Sequence, residues 1–317
     1  MRPYVPPTGN RDGALRLDFN ENTTSVSDAV IEAIRGAVTG ETLAMYPDYS
    51  QALPVIARGL GVTSDHVVLT NGTDEAIQLL VNTFLESGDR LVILEPSYAM
   101  YRFYAEVAGV EVVPVAYRLD DDLAFPLDEL LAVIDTGVDA VFVANPNNPT
   151  GGALPIDAVR RILERAPDAV VLIDEAYVEF SGMTAIELID EYPNLVVSRT
   201  FSKAYGLAGL RCGCLVAAPD ALQWVRRAQS PYSVNALAAV AAAAAIAKPD
   251  YVNQYVTEVL AARQFTSDRL RALGYRVFPS EGVLVRDRSH EIDGCLRVTI
   301  GTQKQMELFI SIVEEHT

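Results

Sequence analysis

The sequence predicts an α/β fold: a large domain on a mostly parallel seven-stranded sheet, followed by a smaller α+β C-terminal domain. Three observations carry that prediction. Seven short apolar runs rich in Val, Ile and Leu lack polar alternation, as strands covered on both faces do. Longer stretches of helical period separate most of them, and that alternation builds a parallel sheet with right-handed crossovers. After Pro231 the order changes to helices, short strands and a last helix, which marks the smaller domain.

Residues 1–45 carry Pro, Gly, Asn and Thr with one helical stretch near 27–38, and read as an N-terminal arm and part of the small domain. Strands are expected at 66–70, 90–94, 110–115, 139–144, 169–173, 194–199 and 213–217. Helices are expected at 73–86, 98–108, 127–135 and 156–165, so the large domain spans 46–230. Residues 231–317 give an interdomain helix and the small domain: an Ala-rich helix at 234–247, a long amphipathic helix at 250–273 and a closing helix at 302–314. Short strands are expected between the last two, near 275–278, 283–286 and 295–299.

The 317 residues are 50% hydrophobic and 21% charged, enough for a full-sized core and unlike disordered, collagenous or disulfide-stapled chains. Forty-two acidic against 25 basic residues give a net charge of −17 with no Lys/Arg run, so no nucleic-acid partner is expected. Cys212, Cys214 and Cys295 lack Cys-x-x-Cys spacing, and His66, His290 and His316 are scattered, so no metal site is expected. The cysteines read instead as small buried hydrophobes in a reducing compartment. The stretch MRPYVPPTGNRDG has prolines and charges where a signal peptide needs apolar residues. The most apolar segment, Ala236 to Ala247, is shorter than the roughly 18 residues of a membrane span. No membrane association and a cytoplasmic location are therefore expected.

In an open α/β sheet, ligands bind beyond the carboxyl ends of the strands. Four such ends carry polar groups: Asn71-Gly72-Thr73-Asp74-Glu75, then Asn145-Pro146-Asn147-Asn148-Pro149-Thr150-Gly151, then Asp174-Glu175-Ala176-Tyr177, then Thr200-Phe201-Ser202-Lys203 with Arg211 beyond. Each has a structural alternative. Asn-Gly-Thr fits a turn with a helix cap as well as a phosphate at a helix N-terminus, where Asp74 and Glu75 would repel the anion. The second is a proline-rich loop. Asp174 closes a buried strand and could answer to an arginine.

Only three lysines, Lys203, Lys248 and Lys304, stand against 22 arginines. Lys304 lies between glutamines, and Lys248 precedes a proline at a helix end, where it suits the dipole. Lys203 has Phe201, Ala204, Tyr205 and Leu207 around it and no carboxylate nearby in sequence. A lysine able to form a Schiff base, a buried carboxylate and a phosphate cradle together are the requirements of pyridoxal phosphate.

Those residues sit in longer strings: FNEN (19–22), YPD (46–48), NGTDEA (71–76), PSYAMY (96–101), NPNNPTG (145–151), IDEAY (173–177), RTFSKAYGLAGLR (199–211) and CLRVTIGT (295–302). In this set and order the chain resembles fold-type-I pyridoxal-phosphate aminotransferases, whose fold is aspartate-aminotransferase-like, and in particular the histidinol-phosphate aminotransferase family. The resemblance implies that Lys203 bonds the cofactor aldehyde and moves the substrate proton, and that Asp174 pairs with the pyridinium nitrogen. Tyr177 and Asn148 would bond the phenolic oxygen, and Tyr98 would stack on the ring. Gly72, Thr73, Thr200, Ser202 and Arg211 would hold the phosphate, with Tyr46 reaching in from a second subunit of a homodimer. Asn22, Arg286 and Arg297 would meet the substrate. Strand alternation puts Arg297 with Cys295 and Thr299, opposite the apolar face; for Arg286 and its neighbour Arg288 the alternative is a solvated strand face.

The implied reaction moves the amine of L-histidinol phosphate to 2-oxoglutarate, giving imidazole-acetol phosphate and L-glutamate, a step of histidine biosynthesis. An aromatic amino acid aminotransferase, a decarboxylase of a phosphorylated amino acid, and a cofactor-binding homologue with impaired turnover are the alternatives. A dinucleotide oxidoreductase would need a Gly-x-Gly-x-x-Gly turn that is missing after the first strand. Two departures from the family stand out. Thr23-Thr24-Ser25-Val26 replaces a proline and an aromatic after FNEN, and only Glu281 separates FPS from GVLVR, where the family has a further strand and helix.

Overall fold

All seven apolar runs form strands in the computed structural model, which describes residues 14–277, 286–287, 292 and 294–316. They are β1 (Val67–Thr70), β2 (Arg90–Glu95), β3 (Glu111–Ala116), β4 (Ala140–Ala144), β5 (Val170–Asp174), β6 (Leu195–Thr200) and β7 (Gly213–Ala217). Spatial order is β1-β7-β6-β5-β4-β2-β3. Pairing is parallel from β3 through β6, while β7 runs antiparallel to both β6 and β1. The carboxyl ends of β1, β4, β5 and β6 therefore share one edge, and β7 begins there.

Helices cover both faces. The first eight are α1 (Asp28–Ala37), α2 (Gly40–Ala44), α3 (Ala52–Gly59), α4 (Gly72–Phe84), α5 (Met100–Ala108), α6 (Leu127–Ile134), α7 (Ile156–Arg165) and α8 (Val178–Ser181). Then come α9 (Pro219–Ala228), α10 (Ala236–Ile246), α11 (Pro249–Ala272) and α12 (Gln303–Glu315). Successive strand side chains point to opposite faces, so each strand feeds two cores. Val141, Val143, Val171, Ile173 and Val197 pack with α6, α7 and α10. Phe142, Leu172, Val196 and Leu215 pack with α4, α5 and α9. Burial of a side chain such as Phe142 contributes about 1.5–3 kcal/mol, which is why uninterrupted apolar runs suit the middle of this sheet. β3 lies at the edge, where exposed residues and Pro114 are tolerated.

The Ala-rich α10 belongs to the main core: Ala238, Ala241, Ala242 and Ala245 are fully buried. Gly59 lets α3 approach it, since a Cβ there would stand 2.5 Å from Ile246 Cγ1. A separate cluster joins Leu17 to Tyr255, Val259 and Ala262 of α11, and to Val298, Ile300 and Met306. Thr302 and Gln305 close a capping box on α12, which fixes its start.

Four helices, α2, α3, α8 and α9, form where the sequence reading placed none. Residues 275–277, expected to open a strand, form none. Of the other short strands, Arg286–Asp287 (β8) and Leu296–Arg297 (β9) pair antiparallel, with Arg286 opposite Arg297. The junction around Glu281, Arg288 and the Arg286 side chain lie outside the described residues. Among the described residues, no helix is long and apolar enough to cross a membrane.

Candidate active site

A cavity of ≈ 490 Å³ opens at the shared strand edge. Asp174, the last residue of β5, sits in its wall and is 3% exposed. Its Oδ2 accepts the Tyr101 hydroxyl at 2.7 Å, and its Oδ1 accepts the Ser198 hydroxyl at 2.8 Å. Ser198 is its in-register neighbour on β6. The arginine alternative is answered one residue along: Arg199 pairs with Glu175 at 2.9 Å and Glu179 at 3.2 Å. Burial pushes the Asp174 carboxyl above its ordinary range, against the hydrogen bonds from Tyr101, Ser198 and the Ala176 N–H. A ligand presenting a cationic N–H to this oxygen pair would supply the missing counter-charge.

That shift has a definite sign in the pH dependence. Near its ordinary value of about 3.9 the carboxyl begins to ionise in the unfolded chain, while the fold still holds its proton. The native state then binds more protons, so stability falls as pH rises through the window up to the folded value. In the cofactor-free chain, Asp174→Asn is therefore expected to gain in urea midpoint on the parent as pH rises from about 4. Midpoints that stay parallel over that range would remove the buried charge from the account.

Lys203 stands on the connection between β6 and β7. The Phe201 N–H donates to Cys212 O at 3.1 Å, Leu207 N–H to Phe201 O at 2.9 Å, and Gly206 N–H to Lys203 O at 3.0 Å. Phe201, Ala204 and Leu207 are buried, so the apolar flanks noted in the sequence are anchors under this loop. The amine itself donates to Phe19 O at 3.1 Å and lies 5.8 Å from the Tyr177 ring centroid.

Arg211, at φ 56, turns back over the start of α4. Its guanidinium donates to Asp74 Oδ2 at 3.2 Å, to Ser202 Oγ at 3.5 Å and to Ala208 O at 3.3 Å. Position 72 favours glycine: its φ is +75, and a Cβ would stand 2.5 Å from Arg211 Nη2 and displace the guanidinium. Thr73 Oγ1 is buried with no partner among the described residues, whereas Thr200 Oγ1 accepts the Ser202 N–H at 3.1 Å. A helix N-terminus, an arginine and an unsatisfied hydroxyl make an anion cradle. Asp74 does not spoil it, because its charge is engaged by Arg211 and by the Tyr98 hydroxyl at 2.6 Å. Tyr98 lines the same cavity, edge-on to Tyr101.

The remaining expected residues lie at and beyond the cavity's outer side. Asn148 Oδ1 accepts Arg297 Nη1 at 2.5 Å, and Arg297 Nη2 reaches Asp18 O at 3.2 Å, so both face the cavity from its outer side. Asn22 is set back from the cavity lining. It is buried, donates to Ala204 O at 3.0 Å and accepts Thr24 N–H and Oγ1 at 2.8 and 2.6 Å. Thr24 thus locks a brace at the position where the family pattern differs. Asn20, two residues earlier, lines the cavity and donates to the Tyr177 hydroxyl. Tyr46 lies outside the lining, 77% exposed and stacked on Tyr232 at 4.4 Å. Burial pushes the Cys212 and Cys214 thiols up to about 12, and both side chains are closed to solvent.

Tyr101, Ser198 and Asn20 were not singled out in the sequence. Ser198 carried a signal, as the one hydroxyl in the run LVVS that opens β6. Tyr101 shared a helical face with Tyr98, three residues before it.

In this cavity the amine, the buried carboxylate and the anion cradle each lack what they would need to act alone. Such a division of labour defines α/β enzymes that work through a bound, phosphorylated organic cofactor. Residues 13–317 match the family described as Aminotransferase class I and II, and the chain belongs to that family. It is 36% identical to the histidinol-phosphate aminotransferase of Thermococcus gammatolerans, covering 99% of this chain and 95% of that protein. That alignment runs over 336 positions against 317 residues here, so the relative carries residues without a counterpart in this chain. Identity to histidinol-phosphate aminotransferase 1 of Carboxydothermus hydrogenoformans is 34%, over 96% of this chain and 93% of that one. Among solved structures, histidinol-phosphate aminotransferase from Sinorhizobium meliloti in complex with pyridoxal-5'-phosphate superposes with a TM-score of 0.85. It is 25% identical, over 95% of this chain and 90% of that one.

Proposed function

We propose that this chain uses pyridoxal 5'-phosphate to move the amino group of L-histidinol phosphate to 2-oxoglutarate. The observation that carries the reading is the uncompensated Asp174 carboxyl, facing the same cavity as the Lys203 amine and the Arg211 cradle. When bound, the cofactor supplies an electron sink for the substrate carbon that bears the amine. Asp174 keeps the ring nitrogen protonated, with Tyr101 and Ser198 fixing the carboxylate. Arg211, Thr73, Thr200 and Ser202 hold the phosphate at the start of α4, where Gly72 leaves room, and Tyr98 flanks the ring. Tyr177 and Asn148 address the phenolic oxygen. Lys203 takes the proton from the substrate carbon and returns it one position along, acting as general base and then acid. Arg297, with Arg286 from the neighbouring strand, grips the phosphate of the donor or the carboxylate of the acceptor.

The relatives' names and the arginine pair both suit a phosphorylated donor. A homodimer fits the exposed apolar surface formed by Leu43, Met45, Tyr46 and Tyr232, at 67%, 63%, 77% and 51% exposure. This reading takes residues 46–230 as the cofactor-binding domain and puts the family's missing strand and helix at Glu281. The cytoplasm is its compartment, in keeping with the free thiols.

The test is an absorbance titration of the loaded protein with L-histidinol phosphate and no 2-oxo acid. The yellow band is expected to give way to a near-ultraviolet one. A yellow band that persists would overturn the donor assignment and turn attention to aromatic amino acids.

A further inference from the structure

Asn20 lies in the left-handed region at φ 57, one of four non-glycine residues with positive φ among those described. Asparagine tolerates this conformation better than most residues. Its neighbours explain the constraint: Asp18 O accepts from Arg297, Phe19 O accepts from Lys203, and Asn22 is braced on Ala204. The turn at Asn20 therefore aims its side chain into the cavity between the two cations. Its Nδ2 donates to the Tyr177 hydroxyl. Its Oδ1 is buried and has no partner among the described residues.

A buried carbonyl oxygen without a donor calls for one from a ligand. The phosphate and phenolic oxygens of pyridoxal phosphate are acceptors, and the cofactor's ring N–H is directed to Asp174. The amino donor remains. Its ammonium must arrive beside Lys203, whose own amine is bonded to the carbonyl next to Asn20 in the chain. We propose that Asn20 recognises the amino donor: Oδ1 accepts an N–H of the incoming ammonium, while Nδ2 holds the Tyr177 hydroxyl in place. The residue separates ligands that bear an amine from equally anionic ones that lack it. This rests on the transaminase reading above.

Two probes test it, L-histidinol phosphate and its analogue with hydrogen in place of the amine. Calorimetry on the cofactor-free chain and absorbance titration of the loaded enzyme compare them. Asn20→Ala is expected to weaken L-histidinol phosphate about tenfold, the scale of one hydrogen bond to a charged group, and the analogue less than twofold. Asn20→Asp keeps an acceptor and is expected to restore amine binding to within about threefold. Equal weakening of both probes would reduce Asn20 to a wall of the cavity and overturn the proposal, as would unchanged binding of both. Failure of the transaminase reading shows separately, as a wild-type yellow band that never converts, while the calorimetric comparison still decides the role of Asn20.

Discussion

Lys203→Ala is expected to lower turnover by about 10⁴-fold or more and to remove the visible band of the bound cofactor, without unfolding the protein. Proton transfer by a positioned side chain alone is worth about 10²–10⁴-fold, and here the same amine also holds the cofactor. No substitute is at hand, because Lys203 is the one lysine lining the cavity among the described residues. The structural cost is small: the amine makes one hydrogen bond, to Phe19 O, and the loop is held by Phe201, Ala204 and Leu207 rather than by the side chain. Urea unfolding of the cofactor-free variant should match the parent while single-turnover conversion disappears. A variant that keeps the visible band with near-normal conversion would sink the assignment.

The largest stability effect is expected at Arg199. Its side chain is 14% exposed and stands between Glu175, fully buried, and Glu179, 12% exposed. Burial disfavours the guanidinium's charge, yet the two carboxylates outweigh it and hold its pKa above the ordinary value. Burial pushes both glutamates up. Glu175 also accepts the Ala185 N–H at 2.5 Å and the Thr184 hydroxyl at 2.8 Å, and its own N–H bonds Ser198 O at 3.0 Å. The triad thus ties the segment after β5, which carries Tyr177, to β6, which leads to Lys203. Arg199→Leu leaves two buried carboxylates without their cation and should cost about 3–5 kcal/mol in urea unfolding. Adding Glu175→Gln should recover part of that loss, since it removes one stranded charge. A cycle in which the two changes simply add would show that the pair is not coupled. Arg165→Leu, which breaks an exposed pair with Asp135, should leave the midpoint essentially unchanged.

Strand positions were legible because strands covered on both faces need unbroken apolar runs, and VVLT, AVFVA and GCLVA are that pattern. Strand order was not, since nothing local tells β1 to lie beside β7 at the far side of the sheet. Helix α9 had readable signals, with Pro219 at its first position and Arg226 and Arg227 in its last turn. Helix α2 spans only five residues, too few for a period to declare itself. At the site, residues following strand ends were found because topology gathers them at one edge. Partners that meet through folding were missed: Tyr101 lies 73 residues from Asp174, and Asn20 lies 157 from Tyr177. That Asn20 lines the cavity and Asn22 is set back from it turns on a backbone angle that FNEN does not spell out.

The roof of the cavity has a consequence for the order in which the chain is made. Leu17 O is bonded by the Thr299 N–H, Asp18 O by Arg297, and Thr23 O by Gln305. The Asp18–Arg297 contact joins residues 279 apart. During synthesis the seven-stranded sheet can assemble from residues 67–217, and segment 17–23 can reach Tyr177, Lys203 and Ala204, while Arg297, Thr299 and Gln305 are still to be made. A nascent chain on the ribosome can therefore have its lysine loop and anion cradle in place with a roof held from one side only. The contacts of that segment are complete only when residues 297–305 emerge, so the first-made part of the site waits on the last-made.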